Sequence, residues 1–174
     1  WGCDNEEKDA EVLPLVAEAC EGKNVVIGPV VEGNFKQIGA RAIAYKHVVA
    51  ASTPIDINLA KQLNILLGNL GVPEDKIIVD PTTGGLGYGL EYTYSVMERD
   101  RMAALTQEDQ QLQYPIICML GKEVWKVKEC KISEAEEPTM GDAAERGIMI
   151  EAITAMNLLL AGANLLVMRH PEAM

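Results

Sequence analysis

The residues with the most chemical potential in this chain lie between Asp80 and Ser95, in the stretch DPTTGGLGYGLEYTYS. An apolar run, Lys76 to Val79, ends there in an aspartate and a proline, followed by two threonines, four glycines and a helical pattern. Glycines permit positive φ angles and let a ligand approach the backbone closely. The stretch therefore predicts a strand, a functional loop and a helix in succession.

Asp80 has two interpretations. Its carboxylate is a candidate partner for Glu123 in general acid–base chemistry. It is also the type of residue that caps a turn by accepting a hydrogen bond from the backbone of Thr82 or Thr83, and this structural interpretation is favoured. The glycines only weakly indicate a phosphate site, because the chain has neither a Walker A lysine nor a GxGxxG pattern at the start of a helix.

The elements that position this loop are short apolar runs alternating with helical patterns. The predicted strands are 24–29, 48–51, 76–79, 115–120 and 165–168, and the predicted helices are 10–20, 34–45, 56–70, 90–105 and 148–161. Continuous apolar strands separated by helices indicate a parallel α/β sheet. Since a closed (β/α)8 barrel typically takes about 250 residues, we predict a partial TIM barrel of about five βα units, in preference to a complete open sheet.

Several local predictions follow from residue type. Asn34 and Asp56 are expected to cap helices at their N-termini, and Gly71 is expected to end one. Pro14 is expected to delay the start of the first regular helix. The helix at 148–161 is apolar nearly all round, so we expect it to be buried on more than one side. Residues 130–140 are acidic and predict a solvated loop.

The carboxyl ends of the strands form the ligand-binding face of such folds. The residues there are rich in hydroxyls and small side chains, which favours a large polar organic ligand over a metal ion. We expect His170 and His47 to be structural. The residues that follow the predicted strands are Gly28, Pro29, Asn34, Ser52, Thr53, Pro54, Asp56, Asp80, Thr82, Thr83, Gly84, Gly85, Gly121, Lys122, Glu123, Arg169 and His170.

Composition excludes several classes of function. The net charge of −11 argues against a nucleic-acid or anionic-membrane partner, because either would need a basic face. The four cysteines have no CxxC or other ligand spacing, so we expect reduced thiols. No signal peptide or apolar run of membrane-spanning length is visible, which predicts a cytoplasmic protein. The 174 residues fit a single domain, and the abrupt turn signal after Trp1 is typical of a fragment lacking its N-terminal part.

Long blocks of the sequence resemble the small, or delta, subunit of the corrinoid iron–sulfur protein, the methyl carrier of the acetyl-CoA decarbonylase/synthase system of anaerobes. The resemblance covers nearly the whole chain. The blocks are PIDINLAKQLNILL (54–67), DPTTGGLGYGLEYTYSVMERDRMAAL (80–105), YPIICMLGKEVWKVKE (114–129) and LLLAGANLLVMRHP (158–171).

The resemblance implies a TIM barrel that pairs with a large subunit, which carries a [4Fe–4S] cluster and the corrinoid-binding domain. The barrel's carboxyl face would cover the cobamide during methyl transfer, with the pterin methyltransferase and acetyl-CoA synthase as transient partners. The chain would then supply position and shielding, and we do not expect it to be catalytic alone. The candidate cobamide or partner contacts are Ser52, Asp80, Thr82, Thr83, Gly84, Gly85, Tyr88 and Arg169.

Two alternatives remain open at this point. The chain resembles pterin-binding barrel methyltransferases in its predicted architecture, and in that case Asp56, Asn58 and Asp80 would contact the pterin. It could equally be a non-catalytic scaffold whose apolar helix at 148–161 docks a partner.

Overall fold

The computed structural model describes residues 1–3 and 5–174. Within them, five strands alternate with helices as predicted, and a one-turn helix follows the fourth strand where sequence indicated strand and loop. The strands are β1 (Val26–Val30), β2 (Val48–Ser52), β3 (Ile77–Asp80), β4 (Ile117–Cys118) and β5 (Leu165–Leu166). The helices are α1 (Glu6–Ala19), α2 (Phe35–Tyr45), α3 (Ile57–Leu70), α4 (Leu90–Thr106), α5 (Leu120–Val124) and α6 (Ala143–Leu160).

The strands are parallel and neighbour one another in chain order. β1, β2 and β3 form one ladder, and β4 pairs with β5. A parallel bridge between Val79 and Ile116 joins the two ladders, and the Val79 backbone N–H donates to the Pro115 carbonyl over 2.8 Å. The prediction of a parallel α/β fold is confirmed. In the part of the chain that the structure describes, the sheet stays open and does not close into a barrel.

The helices cover one face of this sheet. Successive long helices contact each other in chain order, and Val49 and Ile77 are buried against them in the main core. Side chains alternate between the two faces of a strand. Ser52 and Asp80 lie three residues beyond Val49 and Ile77, so they point to the opposite face, at the carboxyl edge of the sheet.

Two of the predicted helix ends are wrong in detail. α1 begins at Glu6, capped by the Asn5 side chain, and runs straight through Pro14. Asn34 occupies the cap position of α2, but its carboxamide oxygen accepts from the Val31 N–H at 2.8 Å and leaves the helix N-terminus uncapped. The Asp56 cap and the Gly71 stop, with φ of 100°, are confirmed.

The prediction that the apolar helix at 148–161 is buried on more than one side is wrong. In α6 the buried face includes Leu158, whereas Met149 is 61%, Met156 65% and Leu160 74% exposed. These side chains are exposed because α6 leads into β5, which is the edge strand of the sheet. An apolar face of this size is normally covered by further protein.

The remaining class predictions concern membranes and thiols. None of the helices described is both long and apolar enough to cross a bilayer. The four cysteines are free thiols, with Cys118 buried and Cys3 exposed. Residues 130–140 form an irregular, mostly exposed segment, which confirms the predicted loop.

Candidate functional site at the carboxyl edge of the sheet

Ser52 and Asp80 form the floor of a cleft at this edge. The two residues are register partners at the ends of β2 and β3, and the Ser52 hydroxyl donates to Asp80 Oδ2 over 2.7 Å. Both side chains are buried. Because the two strands end at the same level, the register alone brings these distant residues together.

Asp80 also holds the loop that follows it. The Thr82 backbone N–H donates to Asp80 Oδ1 at 3.1 Å, which confirms the predicted turn cap. Thr82 has a φ of 61°, a left-handed conformation that is costly for a β-branched residue. Its hydroxyl donates to the Thr53 carbonyl over 2.6 Å, and this bond fixes the strained turn to the end of β2.

Burial controls the charge of the cleft floor. Burial raises the pKa of Asp80 above its ordinary value, and the hydrogen bonds from Ser52 and Thr82 oppose the shift. Burial, followed by the charge of Asp80, raises the pKa of the nearby Cys118 thiol to about 12. The floor of the cleft is therefore a hydrogen-bonding surface with little tendency to carry extra negative charge.

Thr83 connects the loop to the next strand. Its hydroxyl accepts a hydrogen bond from the Met119 N–H at 3.0 Å, just after β4. The cleft that results has a volume of 390 Å³. Its lining is mainly hydroxyls and small or apolar side chains: Trp1, Pro29, Val31, Ser52, Thr53, Pro54, Asp80, Thr82, Thr83, Met119, Lys122 and Glu123.

The glycines of the loop serve packing. The Gly84 N–H donates to the hydroxyl of Thr93 at 2.9 Å, and that hydroxyl donates to the Thr82 carbonyl. A Cβ on Gly84 would stand 2.4 Å from the Gly89 carbonyl carbon, so only glycine lets the loop close on the start of α4. Gly84 does not line the cleft, and Gly85 lines a separate groove beside it.

Tyr88 and Arg169 also lie outside the cleft lining. Tyr88 is 54% exposed and lines the neighbouring groove, whereas Tyr94 packs against the core. The Arg169 guanidinium lies 5.5 Å from the centre of the Trp125 ring. The structure thus brings together Ser52, Asp80, Thr82 and Thr83 and separates them from the other predicted contacts.

A buried carboxylate, Glu151 on α6, holds the end of β5. It is fully buried and accepts hydrogen bonds from Trp125 Nε1, at 2.9 Å, and from the backbone N–H groups of Arg169 and His170. The His170 ring stacks on Trp125, and its Nδ1 accepts from the Glu172 N–H. His170 is therefore a structural residue, as expected.

The other residues considered in the sequence have structural roles. Asp56 accepts from the Asn58 N–H at 2.7 Å in the α3 cap, and neither residue lines the cleft. His47 is buried between the Ala17 carbonyl and the Val25 N–H. Sequence reasoning missed Trp1, Val31 and Met119 in the cleft. Met119 was assigned to a strand, and its place beside the loop depends on the Thr83 contact.

The described residues contain no group of three or more His, Cys, Asp and Glu side chains arranged to hold a metal ion. The cleft lining offers hydroxyls, apolar side chains and the charged residues Lys122 and Glu123. This chemistry suits a large ligand that carries neutral amides or a flat apolar surface.

Comparison with known proteins supplies the context for this site. The family model for the CO dehydrogenase/acetyl-CoA synthase delta subunit matches residues 4–173. A Methanopyrus kandleri protein named acetyl-CoA decarbonylase/synthase complex subunit delta is 40% identical over 173 residues, which are 99% of this chain and 42% of that relative. A protein with the same name from Archaeoglobus fulgidus is 39% identical over 99% of this chain and 39% of its own length. The subunit delta 2 of the same complex from Methanosarcina acetivorans is 36% identical over 99% of this chain and 40% of its own length. The chain spans about two fifths of the length of these curated relatives.

Proposed function

We propose a function from the family to which the chain belongs, that of the CO dehydrogenase/acetyl-CoA synthase delta subunit. The chain would be a subunit of the corrinoid iron–sulfur methyl carrier of the acetyl-CoA pathway. Its strand-end cleft would cover the cobamide that the large subunit holds. The observation that carries this proposal is the cleft over Ser52, Asp80, Thr82 and Thr83, open at the carboxyl edge of a parallel sheet.

The cleft has the chemistry that a cobamide requires. A corrinoid is a flat macrocycle with neutral amide side chains, and it is larger than a 390 Å³ cleft, so the cleft would cover part of one face. The Thr82 hydroxyl and the Met119 side chain offer a hydrogen-bonding group and an apolar contact for such a surface. When bound, the cobamide supplies the methyl-transfer chemistry, and this chain positions it and limits access of water.

Under this proposal, the cobalt and iron of the system lie in the partner subunit. The large subunit would carry both the corrinoid-binding domain and the [4Fe–4S] cluster, and the pterin methyltransferase and acetyl-CoA synthase would bind transiently, in the cytoplasm. The names of the relatives, as subunits of a complex, support a multi-subunit setting. We do not assign a catalytic residue to the chain, because Asp80 uses its carboxylate oxygens to hold Ser52 and Thr82.

We further propose that residues 1–174 form a single domain that is part of a TIM barrel. The parallel strands in chain order, with helices between them, support this proposal. The exposed apolar face of α6 beside the edge strand β5 is where a further βα unit would pack. The scaffold alternative uses the same face. The pterin alternative has less support, because Asp56 caps α3 and neither Asp56 nor Asn58 lines the cleft.

The substitution Met119→Trp tests the proposed cofactor contact. Met119 is half-buried in the cleft, and only its backbone N–H is needed by Thr83, so an indole should fill the cleft without breaking the loop. In the complex with the large subunit, we expect cobamide affinity to fall by about tenfold or more, as for loss of a well-packed contact. Cobamide content after gel filtration, read from visible absorption, measures the effect.

Met102→Trp is the matched control, because Met102 is 58% exposed on α4 and does not line the cleft. Thermal unfolding of both variants verifies that the fold is retained. If the two variants keep the same cobamide content as the unmodified chain, the proposed contact is wrong.

A further inference from the structure

A second groove, which we call the lysine groove, lies beside the strand-end cleft. It has a volume of 620 Å³, and Glu123 lines both spaces, so the groove continues the cleft at its edge. It runs between the glycine-rich loop and the segment that follows α5. Its lining residues are Gly85, Tyr88, Glu123, Lys126, Val127, Lys128, Lys131, Ile132 and Glu136.

Three lysines and two glutamates line the groove, in a chain whose net charge is −11. Lys126 pairs with Glu123, its Nζ lying 2.8 Å from Glu123 Oε1. Lys128 and Lys131 are exposed, and no salt bridge joins either one to another of the described residues. Two ammonium groups of the groove therefore remain available to an external anion.

Glu136 also lines the groove, and its carboxylate is held by its own turn. Glu136 Oε2 accepts from the Ser133 N–H at 3.0 Å and from the Ser133 hydroxyl at 2.7 Å. These hydrogen bonds lower the pKa of Glu136, so it stays ionised at neutral pH and bonded to its own turn. Among the described residues, Glu136 forms no salt bridge with Lys128 or Lys131.

The donors of the groove suit carboxylates better than a bound phosphate. Phosphate sites usually present arginine forks or free backbone N–H groups. No arginine lines this groove. The backbone N–H groups of Tyr88, Lys126, Val127, Lys131, Ile132 and Glu136 all donate to carbonyls within the chain. The exposed ammonium groups of Lys128 and Lys131 lie in the same groove as the buried, apolar Val127.

Tyr88 adds a feature typical of protein interfaces. It is 54% exposed at the edge of the groove, on the loop that also forms the cleft. Exposed tyrosines beside basic side chains are typical anchors of protein–protein contacts. An extended acidic segment could place carboxylates at Lys128 and Lys131 and an apolar side chain against Tyr88.

We propose that the lysine groove docks an acidic segment of the large subunit, next to the cleft that covers its cobamide. The identity of this partner rests on the function proposed above. The groove would set the orientation of the large subunit on the strand-end face, and its contribution would depend on salt, since the lysines are exposed.

The test is a charge reversal, Lys128→Glu with Lys131→Glu, measured as equilibrium binding of the chain to the purified large subunit. At about 50 mM salt we expect the dissociation constant to rise roughly 30-fold, and at about 300 mM the difference should shrink to a few-fold, because salt screens exposed charges. The matched control is Lys23→Glu with Lys46→Glu. Both control lysines are exposed and precede β1 and β2, so they lie at the opposite end of the strands.

Tyr88→Ala provides a second variant with no change of charge, and we expect about tenfold weaker binding at both salt concentrations. Equal weakening by the two lysine pairs, or no weakening by the Lys128 and Lys131 pair, would overturn the proposal. Phosphate binding could also overturn the proposal. If the unmodified chain binds inorganic phosphate with a dissociation constant below about 1 mM and the charge reversal abolishes this binding, the groove is a site for a small anion.

Cobamide content separates this inference from the proposed function. If cobamide-free large subunit binds through the groove, the docking surface stands even where the cleft makes no cobamide contact. If the unmodified chain does not bind the large subunit at all, both proposals fail.

Discussion

Replacing Glu151 with alanine is expected to lower the free energy of unfolding by about 3–5 kcal/mol, the range for breaking a buried charged network. The substitution leaves Trp125 Nε1 and the N–H groups of Arg169 and His170 without their acceptor. It also opens a cavity beneath the end of β5. Urea unfolding followed by circular dichroism measures the change.

Glu145→Ala is the control on the same helix, because Glu145 is exposed in the first turn of α6. Loss of an acidic residue there should cost no more than about 0.5 kcal/mol. Glu151→Gln should fall between the two, since an amide oxygen can still accept part of the network. A Glu151→Ala variant as stable as Glu145→Ala would contradict the role assigned to this carboxylate.

Replacing Asp100 with asparagine is expected to stabilise the protein by about 2 kcal/mol at pH 8. The raised pKa of Asp100 costs the folded chain roughly 1.4 kcal/mol per pKa unit at this pH, and burying an amide in its place offsets part of the gain. Asp100 lies on α4, only 2% of it is exposed, and its Oδ1 has no hydrogen-bond partner. Burial raises the pKa of Asp100 from 3.8 to about 6, although the adjacent Arg101 charge opposes the shift.

The sign of the pH dependence follows from the raised pKa. The folded chain binds the Asp100 proton more tightly than the unfolded chain, so the unmodified protein gains stability as the pH falls from above 6 toward 4. Asparagine does not titrate, and its advantage should therefore shrink toward pH 4 and disappear by about pH 3, below both pKa values of Asp100. Asp75→Asn, at an exposed position, is the control. An Asp100→Asn advantage that does not change between pH 4 and 8 would contradict the assignment.

The order of elements was predictable because it depends on local patterns. Short apolar runs gave all five strands, and cap chemistry placed the start of α3 at Asp56 and its end at Gly71. The turn at Asp80 was predictable for the same reason, since an aspartate two residues before Thr82 bonds its own backbone.

The failures have both local and tertiary causes. Asn34 is occupied by the Val31 N–H, and the apolar residues of α6 outnumber the surfaces available to cover them. Glu151 did carry a signal that the prediction did not use, because a single carboxylate within the apolar residues 148–161 is typical of a buried, hydrogen-bonded group. The lysine groove could not be predicted, because Tyr88 and Lys131 are distant in sequence.

Some positions of the site residues were also predictable from the sequence, and others were not. Ser52 and Asp80 come together because β2 and β3 are parallel and end in register. Gly84 and Arg169 were expected at the ligand face for their types and positions, yet Gly84 packs on the start of α4 and Arg169 on Trp125. Residue type and strand position therefore predicted that Ser52 and Asp80 lie at the carboxyl edge of the sheet, while the individual contacts required the structure.

Amide hydrogen exchange of the 80–88 loop tests the central claim most directly. The chain is compared in complex with the large subunit, first free of cobamide and then loaded with it, and a peptide from α1 serves as the internal reference. The account predicts that loading slows exchange in 80–88 by about tenfold, as expected for amides that a bound ligand covers, and leaves α1 unchanged. Identical exchange of the loop with and without cobamide would contradict it.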